Sequence, residues 1–177
     1  FDRNGDTASN AKTAGVYRIS GGKLTTDYLR SGNTYYLKEI QAPTGFLLSD
    51  EVKELKIDAS AKTDEFTPIL FQTNFADTPI KGKIAVKKRS YDPTKKEYYP
   101  ENNTTFQVYL KSKGSYDNCA DDERATIKTN ADGYAVTGDL VYGTYVVHQM
   151  DSGDVDAYYV DDFEANVTEN GKVYAVS

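Results

Sequence analysis

The sequence is poor in the residue types that form cross-links and coordinate metals. Among its 177 residues it contains one cysteine, one histidine, one methionine and no tryptophan. A single cysteine, Cys119, cannot form an internal disulfide bond, and the acidic residues around it disfavour a reactive thiolate. A single histidine, His148, excludes a multi-histidine metal site, so we interpret it as a surface residue. We predict no metal and no cofactor.

Long apolar runs and an excess of positive charge are missing as well. No stretch approaches the roughly 20 apolar residues that a membrane-spanning helix requires. The net charge of -6 would repel nucleic-acid phosphates and anionic lipids. The sequence opens at Phe1 without a charged and then apolar leader, so we expect a mature or excised segment. We predict no nucleic-acid partner and no membrane contact within this segment.

Helical periodicity is the third absence, and short alternating runs take its place. The 15 tyrosines and 7 phenylalanines suit half-buried strand surfaces. Turns are predicted at Gly21-Gly22, Asp132-Gly133 and Asn170-Gly171, because glycine tolerates positive φ. The alternating runs predict these strands: Val16 to Ile19, Thr34 to Glu39, Val52 to Ile57, Ile69 to Phe75, Ile84 to Lys88, Phe106 to Leu110, Tyr134 to Val136, Thr144 to Gln149 and Phe163 to Val167.

The chain repeats itself weakly, which indicates two copies of one unit. Gly22 precedes Leu29 by the same interval that separates Gly133 from Leu140, and each leucine is followed by a glycine and then Thr-Tyr. The segment around Pro79 and Gly82 has the composition of a short linker. We therefore predict an all-β protein with two tandem β-sandwich domains, residues 1–79 and 80–177.

One stretch of the first unit carries a specific resemblance. Its residues are Leu29, Gly32, Thr34, Tyr35, Leu37, Glu39, Ala42, Pro43, Gly45 and Phe46, in the order of a strand glutamate followed by Ala-Pro and Gly-aromatic. This string resembles the signature of collagen-adhesin B-type domains, also called SpaA-type or prealbumin-like domains, of Gram-positive pilins and adhesins. In the second unit, Gly82, Ile84, Val86 and Lys88 are similar to the first strand of that family. The resemblance implies immunoglobulin-like or prealbumin-like β-sandwiches.

The resemblance also implies a chemistry, the spontaneous isopeptide bond. In many of these domains a lysine on the first strand joins an Asn or Asp on the last strand, helped by a buried acid. Such a lysine must be neutral to attack, and the acid must shuttle protons. The family pattern makes Glu39 the proton shuttle of the first unit and Asp77 its acceptor. Asn74 is the alternative acceptor, but Asp77 continues the face of Thr73 and Phe75.

In the second unit the resemblance makes Lys88 the candidate nucleophile. Strand alternation places Lys88 on the same face as Ile84 and Val86, so Lys88 rather than Lys87 should point inward. Gln149 occupies the position of the family's glutamate, and because an amide cannot relay protons we expect it to be inactive.

Both units depart from the family pattern at one end. The first unit begins like the turn after the family's second strand, so Glu39 and Asp77 lack a partner lysine. The second unit stops where the family would continue into its acceptor, so Lys88 lacks a partner as well. We therefore expect the first domain to lack its first strand and the second to lack its last strand. The open edge of the first domain would accept a strand from another chain.

The function that this resemblance implies is structural. We expect a stalk or spacer segment of an extracellular surface protein, anchored to the cell wall through regions outside this chain and flanked by neighbouring domains of the same protein. The alternative is an adhesin module that recognises a host protein or glycan through the exposed tyrosines Tyr98, Tyr99, Tyr158 and Tyr159. An enzyme is not predicted, because no phosphate-binding loop or nucleophile elbow is present. The acidic residues from Asp151 to Asp162 lack calcium-loop spacing and indicate a solvated face.

Overall fold

The protein is all-β. The structure is a computed structural model that describes residues 15–26, 29–30, 32–58, 73–153 and 159–177. These residues form fourteen strands and two single 3₁₀ turns, Lys111–Lys113 and Tyr116–Asn118, and contain no α-helix. The predicted all-β class is confirmed. Within the described ranges no helix is long and apolar enough to cross a membrane.

The chain divides into two compact units. The first unit comprises Phe1–Ala42 and Leu48–Thr78, and the second comprises Pro43–Leu47 and Pro79–Ser177. The domain limits 1–79 and 80–177 remain a prediction, since residues 43–47 are grouped with the second unit.

The described part of the first unit is built on a two-stranded antiparallel sheet. Strand β1 (Thr34–Lys38) pairs with β3 (Val52–Lys56), with Tyr36 opposite Glu54 in the middle of the ladder. Between them in the chain lies the short strand β2 (Phe46–Leu47). Both predicted strands of this region are confirmed within two residues.

Two other strand predictions for the first unit do not hold over the described residues. Val16 to Ile19 is not a strand, and both of these end residues are largely exposed. An isolated bridge joins Ser20 to Lys23 around the predicted Gly21-Gly22 turn. Residues 73–75 of the strand predicted from Ile69 to Phe75 are not in strand conformation, and residues 69–72 lie outside the described residues. Residues 73–77 alternate in sequence, but they pair with no strand among the described residues.

The second unit is a β-sandwich whose first sheet is organised around one strand. After β4 (Thr78–Pro79), strand β5 (Lys81–Lys87) runs through the centre of this sheet. Its two ends pair antiparallel with β10 (Tyr134–Val136) and β11 (Leu140–Val141). Its middle pairs in parallel with the strand β14 (Val173–Val176).

The second sheet has the order β13-β12-β8-β9. Its strands are β8 (Thr105–Leu110), β9 (Arg124–Lys128), β12 (Gly143–Gln149) and β13 (Phe163–Val167). A separate hairpin, β6 (Arg89–Asp92) and β7 (Glu97–Pro100), follows β5 directly. All five strands predicted for this unit are present, whereas this hairpin, β4, β9, β11 and β14 were not predicted.

The core of the second unit lies between its two sheets. Apolar side chains from both inner faces fill it, as expected from strand alternation. The cluster comprises Ile84, Val86, Phe106, Val108, Ile127, Ala135, Leu140, Tyr145, Val147, Ala165 and Val167. The same unit also buries polar side chains, among them Lys88 and Glu101.

Candidate functional site

Lys88 is a buried lysine at the end of the central strand. It follows β5 immediately, on the inward face that carries Ile84 and Val86, and only 6% of it is exposed, whereas Lys87 is exposed. Its backbone N–H donates to the carbonyl of Gly133 at 2.8 Å. The inward orientation predicted from strand alternation is therefore what the structure shows.

Glu101 lies against Lys88 and is completely buried. The Lys88 Nζ atom is 3.3 Å from Glu101 Oε2, and Glu101 has no exposed surface. The Ser90 hydroxyl donates to Oε2, and the Thr104 hydroxyl donates to Oε1 at 2.9 Å. Both carboxylate oxygens are thus hydrogen-bonded inside the protein.

The surroundings of Glu101 favour its ionised form. Burial by itself would raise the pKa of Glu101, but hydrogen bonds from Ser90 and Thr104 and the charge of Lys88 outweigh it. The pKa of this carboxyl therefore lies below its ordinary value of 4.5. The site holds a buried carboxylate in direct contact with a buried lysine.

The β6–β7 hairpin brings these two residues together. Lys88 precedes β6 and Glu101 follows β7, so the antiparallel pairing of Arg89 with Pro100 closes the hairpin next to them. The N–H of Glu101 donates to the carbonyl of Lys88 at 3.2 Å across this neck. The pair is therefore fixed by backbone pairing as well as by side-chain contacts.

Gly133 packs directly against the backbone of Lys88. It has φ +70°, and an added Cβ would lie 2.3 Å from the Lys88 carbonyl oxygen. Only glycine permits both this conformation and this approach. The predicted Asp132-Gly133 turn thus lies against the lysine backbone that it hydrogen-bonds.

Gln149, which the sequence resemblance aligns with the family's glutamate, is buried and hydrogen-bonds to the backbone rather than to Lys88. Its side-chain nitrogen donates to the Asp151 carbonyl at 3.0 Å, and its side-chain oxygen accepts from the Val160 N–H at 3.2 Å. These hydrogen bonds connect the end of β12 to the backbone of Asp151 and Val160. The buried acid beside Lys88 is Glu101, which sequence reasoning missed.

The signal for Glu101 in the sequence is weak. It lies outside any strand, between Pro100 and Asn102, so strand alternation assigns it no face. Its pairing with Lys88 depends on the hairpin, whose polar strands were not recognised.

In the first unit, Glu39 and Asp77 differ in exposure. Glu39 is half-buried, and its Oε2 accepts a hydrogen bond from the Ser49 N–H at 2.9 Å. Asp77 and the alternative acceptor Asn74 are both exposed and outside any strand. Phe75 lies near Lys53, whose Nζ is 5.8 Å from the ring centre. The assignment of Glu39 and Asp77 to bond formation stays a prediction.

The single histidine and the single cysteine belong to no candidate site. His148 is on the outer face of β12, with Nδ1 2.6 Å from Asp162 Oδ1. Cys119 is buried, and its thiol is within 3.5 Å of the Ser115 carbonyl. Among the described residues no group of three or more His, Cys, Asp or Glu side chains could hold a metal ion. Asp154 and Asp156 of the acidic run lie outside those residues.

Comparison with known proteins agrees with this architecture. Residues 1–68 match the family model of SpaA, a prealbumin-like fold domain. The predicted resemblance to SpaA-type domains is confirmed. No curated protein matches the sequence.

One solved structure shares the fold of this chain. The Bacillus anthracis TIE protein aligns with a TM-score of 0.58 at 22% identity over 81% of this chain, so the two chains share a fold. The minor pilin GBS52 of Streptococcus agalactiae aligns over 88% of this chain at 16% identity, with a TM-score of 0.43. The chain spans 24% of the TIE protein chain and 62% of the GBS52 chain.

Proposed function

We propose that this chain is a spacer segment of a Gram-positive cell-surface adhesin or pilin. Such a segment holds a binding tip away from the wall and carries tension, and it converts no substrate. It is extracellular and is anchored to the cell wall through other parts of the protein. Its partners are the neighbouring domains of the same surface protein. The SpaA match and the sandwich fold support this proposal, and the buried Lys88 is the observation that carries it.

An isopeptide cross-link in the second unit would join β5 to the end of β14. Strand β14 runs parallel to β5, with Tyr174 beside Ile84 and Val176 beside Val86. Tyr174 and Val176 pack against the core, so alternate positions of β14 face inward. Continuing this register, a residue placed directly after Ser177 would lie opposite Lys88 and face inward. A carboxamide or carboxyl side chain at that place would lie next to the Lys88 amine and could accept it.

A chain extended by one asparagine after Ser177 tests this cross-link. We expect its intact mass to fall by one ammonia on folding, with Lys88 joined to the added residue in the proteolytic map. A serine extension, and the asparagine extension carrying Lys88→Arg, serve as controls and should keep their full mass. Full mass in the asparagine-extended protein would contradict the proposed cross-link.

For the first unit we propose the roles that the family pattern assigns. Glu39 shuttles protons and Asp77 accepts a lysine presented by an added strand. A lysine-bearing strand peptide of the family type, supplied in trans, should then bind and couple with loss of one water. Asp77→Ala should abolish coupling and keep reversible binding, because strand addition uses backbone hydrogen bonds. Coupling that survives Asp77→Ala would move the acceptor to another residue, with Asn74 tested first.

A ligand-binding adhesin module is the second candidate, and the β6–β7 hairpin favours it. Tyr98 is 63% exposed, and its ring centre is 5.2 Å from that of Tyr91. The Arg89 guanidinium carbon lies 5.7 Å from the centre of the Tyr98 ring. Tyrosine and arginine are enriched at binding hot spots. Of the other predicted tyrosines, Tyr159 is exposed, Tyr99 is half-buried and Tyr158 lies outside the described residues.

Glycan and matrix-protein arrays separate the two candidates. A spacer should bind nothing above background. Binding that is lost in Tyr98→Ala but kept in Tyr134→Ala would establish the adhesin function, because Tyr134 is an exposed tyrosine on β10, outside the hairpin.

A further inference from the structure

The buried carboxylate beside Lys88 lies on a different element from the one that the family pattern indicates. We infer that Glu101 is the catalytic proton acceptor and donor of the second unit, in place of the amide at Gln149. This inference rests on the proposed function, because it concerns the reaction by which Lys88 would form its cross-link. It assigns a role to a residue that the sequence pattern did not single out.

The first argument is contact. Glu101 Oε2 lies 3.3 Å from Lys88 Nζ, the atom that would attack, and both side chains are enclosed. A proton can therefore pass directly between them, within the reach required of a general base. Because water is excluded, the neutral pair of amine and carboxylic acid is less disfavoured there than in solution.

The second argument is that Gln149 is committed to other bonds. Both ends of its amide are bonded to the backbone, at Asp151 and Val160. An amide neither accepts nor releases a proton at neutral pH. The reaction would lack an acid if the second unit used the family position alone.

The third argument is positioning. The Ser90 and Thr104 hydroxyls hold one oxygen each, and the Thr129 hydroxyl donates to the Glu101 backbone carbonyl at 2.7 Å. These bonds fix the carboxylate before any acceptor arrives, so little reorganisation is needed when the proton moves.

The proposed step balances as follows for an asparagine acceptor. Glu101 takes a proton from the Lys88 ammonium, and the neutral amine attacks the carboxamide carbon. The new carbon–nitrogen bond forms at Nζ, and the bond to the carboxamide nitrogen breaks. Both protons that Nζ loses are carried by Glu101 to the departing nitrogen, which leaves as ammonium. Glu101 ends as a carboxylate again.

The test uses the asparagine-extended chain, refolded from urea and sampled over time by intact mass. Glu101→Gln should slow the loss of ammonia by roughly 100-fold or more, the usual contribution of a general acid or base. Glu97→Gln is the matched control, since Glu97 is an exposed glutamate of the same hairpin. Circular dichroism of the same samples gives the folded fraction, so that rates refer to folded protein.

A second variant and the pH dependence separate catalysis from packing. Glu101→Asp keeps the buried carboxylate but moves it away from Lys88 Nζ by the length of one methylene group. This variant should fold, and its rate should lie between those of the parent and Glu101→Gln. The parent rate should fall on the acid side as Glu101 takes up a proton, and Glu101→Gln should lack this limb.

Each outcome decides a separate point. If the parent reacts and both Glu101→Gln and Glu101→Asp react at the same rate, Glu101 has no catalytic role. The proposed cross-link is then still supported. If Glu101→Gln does not fold, the rate of Glu101→Asp decides. A parent that never loses ammonia overturns the cross-link and, with it, this role.

Discussion

At the scale of single residues, the second unit depends on one buried pair of opposite charges. Lys88 and Glu101 are both taken out of water, a cost that their mutual attraction and the hydroxyl hydrogen bonds must offset. Such pairs stabilise a fold less than their geometry suggests, but removing one partner leaves a buried charge without its counterion.

Glu101→Ala should therefore destabilise the protein by about 3–5 kcal/mol, because the Lys88 ammonium would remain buried and unneutralised. Replacing both residues, Lys88→Met with Glu101→Leu, should recover most of this loss. Urea unfolding followed by tyrosine fluorescence measures both. A single replacement that costs under about 1 kcal/mol would show that the pair is solvated.

Acid should weaken the protein through the same carboxylate. The folded-state pKa of Glu101 is lowered below 4.5, so its contribution to stability is fully present above that pH. This contribution is lost as the pH falls through the folded-state pKa, where the native protein binds the proton as well. Asp92 and Glu123 also have lowered pKa values, so they too make the stability of the protein depend on pH. The contribution of Glu101 is therefore the difference between the parent and Glu101→Gln, which keeps the other two carboxyls. Below pH 4.5 the stability of the parent should fall more steeply than that of the variant. Parallel curves would contradict this assignment.

At the scale of elements, sequence alternation predicted the strands whose apolar faces are buried. Strands β8, β12 and β13 alternate apolar and polar residues and were predicted almost to their ends. The hairpin strands β6 and β7 carry charge or tyrosine at nearly every position and have no apolar face to detect. Glu101 was missed with them, because only the closed hairpin brings it to Lys88.

Gly133→Ala should destabilise the second unit more than Gly114→Ala. Both glycines have positive φ, +70° and +78°, so each alanine carries the roughly 1 kcal/mol strain of that conformation. A Cβ at Gly133 also meets the Lys88 carbonyl oxygen, whereas Gly114 faces open space. Urea midpoints compare the two variants, and equal losses would show that the Lys88 backbone can move away without cost.

Tyr145→Phe should cost about 1 kcal/mol of unfolding free energy, the usual worth of one buried hydrogen bond. The Tyr145 side chain is fully buried, and its hydroxyl donates to the Val141 carbonyl at 2.7 Å. Burial raises the pKa of this phenol, so it remains a donor. Tyr134→Phe, at an exposed tyrosine of β10, is the control and should change stability by under about 0.5 kcal/mol. Thermal unfolding monitored by circular dichroism distinguishes the two.

At the scale of the whole molecule, the repeat in the sequence predicted two tandem domains, and the chain divides into two units with other limits. The two tandem domains stay a prediction. The repeat could not predict that residues 43–47 are grouped with the second unit, because their contacts are remote in sequence. One such contact is the Ile80 N–H donating to the Gly45 carbonyl at 2.8 Å.

A fragment of residues 79–177 should fold alone. Every residue of the apolar cluster of the second unit lies within it, so the fragment retains the burial that drives folding. We expect a β-type circular dichroism spectrum and a cooperative urea transition. A fragment of residues 43–177 should be modestly more stable, because it regains the Gly45 contact. A non-cooperative transition in the shorter fragment would show that the core needs the rest of the chain.

The parallel pairing of β5 with β14 has a mechanical consequence. Force applied at Lys81 and Val176 pulls two adjacent strands that run in the same direction towards opposite ends. The hydrogen bonds between them are then loaded in shear, all at once, whereas antiparallel neighbours pulled from one end would unzip bond by bond. Rupture of the second unit under extension should therefore require the whole β5–β14 ladder to break in a single event.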